Sequence, residues 1–336
     1  MVCLQGTDEN QKAQRIKRKA KGSKFKVQGT VATFEAVKKM IVIVGPTAAG
    51  KTAAAISIAE SLKTEIISAD SRQVFQELNI GTAKPSKEEL RRVPHHFIGS
   101  KSIRENYDAG QYGREALALI HELFKRHDWL VMVGGSGLYI RAVLEGFDEM
   151  PEVPDGLREK ITDEYQARGM AWLQEEVEKG DPDFFSSVDR QNPQRLLRAL
   201  ELIRASGTSL NSLRTNKRVV LPFDVIKIGL TVPREQLYHR IEVRMDGMIQ
   251  AGLFKEAEQF HSLKNINALQ TVGYREIFGY LDGLYNYDEA IRLLKRNSRR
   301  YAKRQLTWFQ RDRETTWFKN GDEILKWLTE TSLANR

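Results

Sequence analysis

The sequence predicts an α/β fold: a parallel sheet core with helices on both faces, interrupted by an α-helical insertion domain. Three observations predict it. From residue 40 to about 150, short apolar runs alternate with helical patterns, as in sheets whose strands are joined by helical crossovers. After Pro151 and Pro154 that alternation stops, and residues 151–216 read as helices with no good strand. The run Val225–Leu230 then resumes the strand pattern, so 40–150 and 217–336 form one core around the insertion.

The elements follow in order. Residues 1–39 are lysine-rich and lack a sustained apolar period, so they read as a disordered basic extension, with Met40 as the expected natural start. Ile41–Val44 is a buried strand, and Ala53–Leu62 an alanine-rich helix. Glu65–Ser68 is a second strand, running into Ala69-Asp70-Ser71-Arg72. Gly110–Arg126 carries Leu117, Ile120, Leu123 and Phe124 on one helical face. Trp129–Val133 is a strand closed by Gly134-Gly135-Ser136-Gly137. In the insertion, Asn192 is an N-cap with Pro193 at the first helical position. Leu196, Leu197, Leu200 and Ile203 form that helix's apolar stripe, while Gln194, Arg195 and Arg198 lie away from it. Those three can face one partner, or form a solvated face on which Arg198 pairs with Glu201. A helix after Pro233 takes in Arg240 and Arg244, a long helix spans Tyr287–Arg311, and a strand at Thr315–Phe318 precedes a terminal helix.

Composition narrows the function. The 336 residues are 41% apolar, enough for a core, and no run of 18 apolar residues offers a membrane span. The lone Cys3 excludes an internal disulfide framework and a multi-cysteine zinc site, and suits a reducing compartment. Net charge is +9, but residues 1–39 hold ten Lys/Arg against three acidic residues, leaving only +2 for the rest. Bulk basicity is therefore poor grounds for nucleic-acid binding. Local clustering is better grounds. Within 292–313, nine Lys/Arg stand against Asp312 alone, which predicts a helix that meets a phosphate backbone.

The chemistry concentrates at Gly45-Pro46-Thr47-Ala48-Ala49-Gly50-Lys51-Thr52, which fits G-x-x-x-x-G-K-[ST] at every fixed position. Such a loop wraps a phosphate in inward-pointing N–H groups at the positive end of a helix. Lys51 adds a charge, and the Thr52 hydroxyl can meet Mg²⁺ bound to the phosphates. The expected architecture is therefore P-loop NTPase-like, a nucleotide- or diphosphate-binding core. Ligands of parallel sheets sit beyond the strands' carboxyl ends, which places this loop, Asp70 and Gly134–Gly137 around one crevice. Asp70 is the candidate base. The residues alone leave two classes open: a phosphoryl transferase for a small metabolite, or an enzyme that holds a diphosphate leaving group while acting on nucleic acid.

The phosphate loop, Ser68-Ala69-Asp70-Ser71-Arg72-Gln73-Val74, Ile80–Pro85, Pro94-His95-His96, Gly134–Ile140, Asn192-Pro193-Gln194-Arg195 through Glu201, and Tyr301–Phe309 together resemble the tRNA dimethylallyltransferase family. The resemblance runs in order over about 41–312. Ser136, Phe75, Asn192 and Ser298 depart mildly from the family's pattern, and the lack of a second cysteine suits the bacterial type. The resemblance implies transfer of a dimethylallyl group from its diphosphate to N6 of adenosine 37, in the anticodon stem-loop of tRNA. It implies a cytoplasmic, monomeric transferase with Mg²⁺ as cofactor. By resemblance, Lys51, Thr52 and Asp70 are catalytic and residues 45–52 hold the diphosphate. Asp70, Ser71, Arg72, Gln73, Ser136, Gln194, Arg195, Leu196, Leu197 and Arg198 would meet tRNA, and Arg244 is a further candidate. His95 and His96 are expected to line the site or to support it, not to bind metal.

Overall fold

The computed structural model describes residues 37–148, 150–213 and 219–333. The expectations for residues 1–36, the basic extension among them, lie outside these.

The described chain divides into two compact units. Among the described residues, one takes in 37–106, 120–137 and 222–333; the other takes in 107–119, 138–148, 150–213 and 219–221. The first holds a six-stranded sheet: β1 (Lys39–Val44), β2 (Ile66–Ser68), β3 (His95–His96), β4 (Trp129–Val133), β5 (Asp224–Leu230) and β6 (Thr316–Phe318). The order is β3-β2-β4-β1-β5-β6, and every pair is parallel. A parallel sheet is covered on both faces, so its central strand should be apolar throughout. Met40, Ile41, Val42 and Ile43 of β1 are all fully buried. Burying one such side chain stabilises by roughly 1.5–3 kcal/mol. The strand starts at Lys39, earlier than Ile41, because Lys39 pairs in register with Trp129 and Asp224 while its ammonium lies over the Trp129 ring.

This order makes β2, β4 and β1 neighbours, so the chain leaves three adjacent strands at Ala69-Asp70, at Gly134 and at Gly45. The helix Lys51–Leu62 follows the third of these exits. Ala55, Ile56, Ile58 and Ala59 of that helix are buried in a cluster with Ile41, Ile43, Val131 and Ile228. The small alanines let the helix lie close on the sheet.

The second unit is helical. Its core joins Ile161, Trp172, Leu173 and Val177 of Leu157–Gly180 to Leu196, Ala199 and Leu200 of Pro193–Ser206. Asn192 caps the latter helix through the Arg195 N–H, as its sequence implies. The long helix Leu157–Gly180 is broken at Gly169, which has φ 78° and ψ −171°. A buried Asp181 ties three segments together. Its Oδ1 accepts from the Phe184 N–H at 3.1 Å, and its Oδ2 from the Leu210 N–H at 2.7 Å and the Ser209 hydroxyl at 2.9 Å. The unit is wider than the expected 151–216, since 107–119 and 138–150 join it. The cause is aromatic: Tyr112 stacks on Tyr139 with ring centroids 4.4 Å apart, and Tyr107 meets Tyr139 edge-on. A helical period at 110–126 gives no sign of which unit its first half serves.

Candidate active site

The phosphate loop is held in a shape few sequences allow. Gly45 has φ 145°, and a Cβ there would lie 2.5 Å from the Leu230 carbonyl oxygen at the end of β5. Ala48 and Gly50 also have positive φ, the former at 62°. Backbone strain of this kind persists only where the surroundings impose it. The long helix Tyr287–Phe309 supplies part of that constraint. Gln305 accepts from the Thr47 N–H at 2.8 Å and donates to the Gly135 carbonyl at 2.9 Å, joining two of the three strand-end loops. Arg244 donates to the Thr47 hydroxyl at 3.2 Å.

Lys51 donates to the Pro46 carbonyl, 2.7 Å away. Burial lowers its ammonium to about 8; Asp70 opposes that shift and Arg244 adds to it. A cation so weakly solvated is primed to gain from an incoming anion. Burial likewise lowers Arg244, while Asp70 raises it.

Asp70 leaves β2 and turns back on its own chain. Its Oδ1 accepts from the Arg72 N–H at 2.9 Å and the Gln73 N–H at 3.2 Å. That turn fixes the carboxylate. The next residue is held from the β4 exit: Ser71 donates its N–H to the Ser136 hydroxyl at 2.9 Å. Gln73 donates to the Thr82 and Ala83 carbonyls, bringing the 81–85 strip alongside.

These groups surround one cavity of about 150 Å³ within the sheet-bearing unit. Thr47, Lys51, Thr52, Asp70, Arg72 and Gln73 line it, with Gly134 and Gly135. So do Ile241, Met245, Met248, Leu253 and Val272. The cavity thus has a cationic phosphate cradle, a carboxylate and an apolar wall. Tyr301 also lines it; burial and the charge of Asp70 raise its hydroxyl's pKa.

The donor set suits a hard cation. Among the described residues no three His, Cys, Asp or Glu cluster as a metal cage. The Thr52 hydroxyl and the Asp70 carboxylate share the cavity, and Mg²⁺ commonly takes one or two protein oxygens beside substrate phosphates. The histidine pair splits. His95 lines the cavity, with Nδ1 hydrogen-bonded to the Val93 carbonyl at 2.7 Å, while His96 Nε2 lies 2.7 Å from Glu65.

The remaining expected RNA contacts belong to the helical unit and are described there. Gln194 and Arg195 are exposed. Arg198 pairs with Glu201 at 2.9 Å, the alternative weighed from the sequence, and Arg158 pairs with the same carboxylate. The Leu196 side chain is fully buried in the helical core, where it supports the helix. Leu197 is half-buried against the same core.

Gln305 and Glu256 were missed as site residues. Gln305 carried a weak signal, a polar side chain on an otherwise apolar stripe. Glu256 carried none. Its buried carboxylate accepts from the N–H groups of Asn79, Ile80 and Gly81 and from the Tyr274 hydroxyl at 2.6 Å, anchoring the strip that continues to Pro85.

The sheet order, the loop at the end of β1 and the enzyme-like cavity place the molecule in the P-loop NTPase-like α/β class. Comparison with known proteins is more specific. The model of the IPP transferase family matches residues 73–312. A tRNA dimethylallyltransferase of Cytophaga hutchinsonii is 52% identical over 285 residues, 85% of this chain and 94% of its own. One from Flavobacterium johnsoniae is 46% identical, over 88% of this chain and 98% of its own. The crystal structure of a tRNA isopentenylpyrophosphate transferase from Bacillus halodurans matches with a TM-score of 0.65 at 36% identity, covering 89% of this chain and 96% of that one. A eukaryotic dimethylallyltransferase solved acting on tRNA matches with a TM-score of 0.67 at 26% identity, over 81% of this chain and 69% of its own. The chain belongs to the IPP transferase family.

Proposed function

We propose that the protein transfers a dimethylallyl group from dimethylallyl diphosphate to N6 of adenosine 37 in tRNA. The observation that carries this reading is the shared cavity: a phosphate cradle, an apolar wall and a carboxylate in one place. A phosphate alone would not need the apolar wall, and an isoprenoid alone would not need the cradle.

The residues divide the work. The amides of the phosphate loop with Thr47, Lys51 and Arg244 take up the charge that grows on the diphosphate as the allylic C–O bond breaks. Ile241, Met245 and Met248 offer an apolar surface to the five-carbon chain. The lone pair of adenine N6 is delocalised into the ring, so the amine is a poor nucleophile until its proton is drawn away. Asp70, fixed by its turn, accepts that proton as the N6–C bond forms. The target base must leave its stack to enter, and Ser71, Arg72, Gln73 and Ser136 stand beside Asp70 to hold it. Mg²⁺ held by Thr52 and the phosphates would add charge stabilisation for the leaving group. In the helical unit, Gln194, Arg195 and Arg198 are offered to the RNA backbone. Arg198 can exchange its partner, because Glu201 keeps Arg158. Among the described residues no helix is long and apolar enough to cross a membrane.

The test is direct. The protein with Mg²⁺, dimethylallyl diphosphate and unmodified tRNA should yield an adenosine heavier by one dimethylallyl group, read by nucleoside mass. Unmodified adenosine, with phosphate transferred from ATP to a small hydroxyl compound instead, would overturn the proposal.

A further inference from the structure

Glu256, on the helix Leu253–Gln259, is a buried carboxylate that the proposed reaction does not use. Among the described residues no cation lies at ion-pair distance from it. Main chain meets its charge instead. Oε2 accepts from the N–H groups of Asn79 at 3.0 Å and Ile80 at 2.9 Å, and Oε1 from the Gly81 N–H at 2.8 Å and the Tyr274 hydroxyl at 2.6 Å. Three successive N–H groups turned to one point make a nest for an anion. Desolvating a carboxylate is costly, and an apolar side chain would pack this helix without that cost. What the carboxylate holds is therefore the informative part.

The strip it holds is tightly fitted and strained. A Cβ on Gly81 would lie 2.6 Å from the Tyr274 ring, and Ala83 has φ 47°. Such strain persists where the surroundings impose it, and it clusters at functional sites. Gly81, Thr82 and Ala83 line the cavity. The Thr82 and Ala83 carbonyls accept from the Gln73 side-chain amide at 3.1 and 2.9 Å. Gln73 in turn gives its backbone N–H to Asp70 Oδ1, beside that of Arg72. Among the described residues no hydrogen bond reaches Asp70 Oδ2, so this turn decides which oxygen is left for a substrate proton. A line of hydrogen bonds thus runs from Glu256, through the strip and Gln73, to the candidate base. Leu253, one turn before Glu256 on the same helix, stands in the apolar wall. One short helix therefore serves both the wall and the strip.

Resting on the prenyl-transfer reading above, we propose that Glu256 is a positioning residue for Asp70: it anchors the 79–83 strip, the strip holds Gln73, and Gln73 aims the carboxylate. Glu256 touches no substrate and moves no proton. Its work is to keep the Asp70 turn at one depth relative to the apolar wall, so that the allylic carbon and the accepting oxygen meet the adenine amine together. Small errors in such alignment are expensive in rate. The phosphate cradle of residues 45–52 is not part of this line, so its grip on a diphosphate is independent of Glu256.

The experiment measures single-turnover prenyl transfer to tRNA with both substrates saturating, and affinity for inorganic pyrophosphate, which probes the cradle alone. Glu256→Gln keeps the side chain's size but turns one acceptor oxygen into a donor that faces N–H groups. Its rate should fall about 10²-fold, with pyrophosphate affinity as in the wild type. Tyr274→Phe keeps the ring on Gly81 and removes one of the four bonds. Its rate should fall about threefold to tenfold, and it reads the same effect should the glutamine variant fail to fold. Gln73→Ala cuts the line between strip and base. The double variant, Glu256→Gln with Gln73→Ala, should therefore transfer within about threefold of the slower single variant. If the two losses multiply instead, or if folded Glu256→Gln transfers at the wild-type rate with only its melting temperature lowered, Glu256 does not position the base and the prenyl-transfer reading stands. If the wild type binds pyrophosphate but leaves tRNA unmodified, that reading falls and this one with it.

Discussion

The two units treat polar groups in opposite ways. In the helical unit the carboxylates are closed upon their neighbours. Asp181 accepts three hydrogen bonds, Glu201 holds two arginines, and Arg204 lies between Glu164 and Glu176. Burial pushes the Glu201 carboxyl up, but bonds from Arg158 and Arg198 outweigh it and hold the group below its ordinary value. In the sheet-bearing unit the polar groups near the cavity are held under tension. Lys51 is desolvated to about 8, Ala48 sits at φ 62°, and Gly45 lies where no side chain fits. The contrast shows where each unit places its stability. One satisfies its buried carboxylates within itself. The other keeps donors and charges ready for a ligand, and its buried β1 offsets the cost.

Mutations should separate the units. Asp70→Ala, in the sheet-bearing unit, should lower prenyl transfer by about 10²–10⁴-fold with donor binding retained. Single-turnover rates and donor titration check this, and near-normal turnover would remove Asp70 as the base. Lys51→Ala should cost about 10²–10³-fold in turnover. The wild type should show the same residue in its pH dependence. With Lys51 as the diphosphate's cation and its free-enzyme value at about 8, the proposed role requires donor affinity to fall above that pH by up to tenfold per unit. Gln305→Leu should lose about 1–3 kcal/mol of donor binding or stability, because the Thr47 N–H and the Gly135 carbonyl are left unpaired. Asp181→Ala should lower stability by a similar 1–3 kcal/mol in thermal melts. Donor affinity should stay as in the wild type. A loss of donor affinity in Asp181→Ala would break the division between the units.

Much of the site was legible because the cradle is written in consecutive residues. Residues 45–52 and the strand before them announce a phosphate loop, and Asp70 stands at a strand end by periodicity alone. The parts that escaped are tertiary. Gln305 reaches the Thr47 N–H across 258 positions, and Glu256 reaches the Gly81 N–H across 175. Gln305 leaves only a polar interruption of an apolar stripe, and Glu256 leaves no local pattern. The helical unit's edges escaped because Tyr112 and Tyr139 stack across the chain, a contact no window of sequence contains. Leu196 shows a different limit, since its side chain is buried in the helical core. A motif read as a block carries its buried supports along with its exposed contacts, and only burial tells them apart.

Prenyl transfer at a phosphate cradle hands over carbon, not phosphorus. Dimethylallyl diphosphate labelled with ¹⁸O in the bridge between carbon and phosphorus tests it in one turnover with tRNA. C–O cleavage, the expected outcome, would deliver all of the label to the released diphosphate. Label recovered in a prenyl alcohol would mean P–O cleavage and would contradict it.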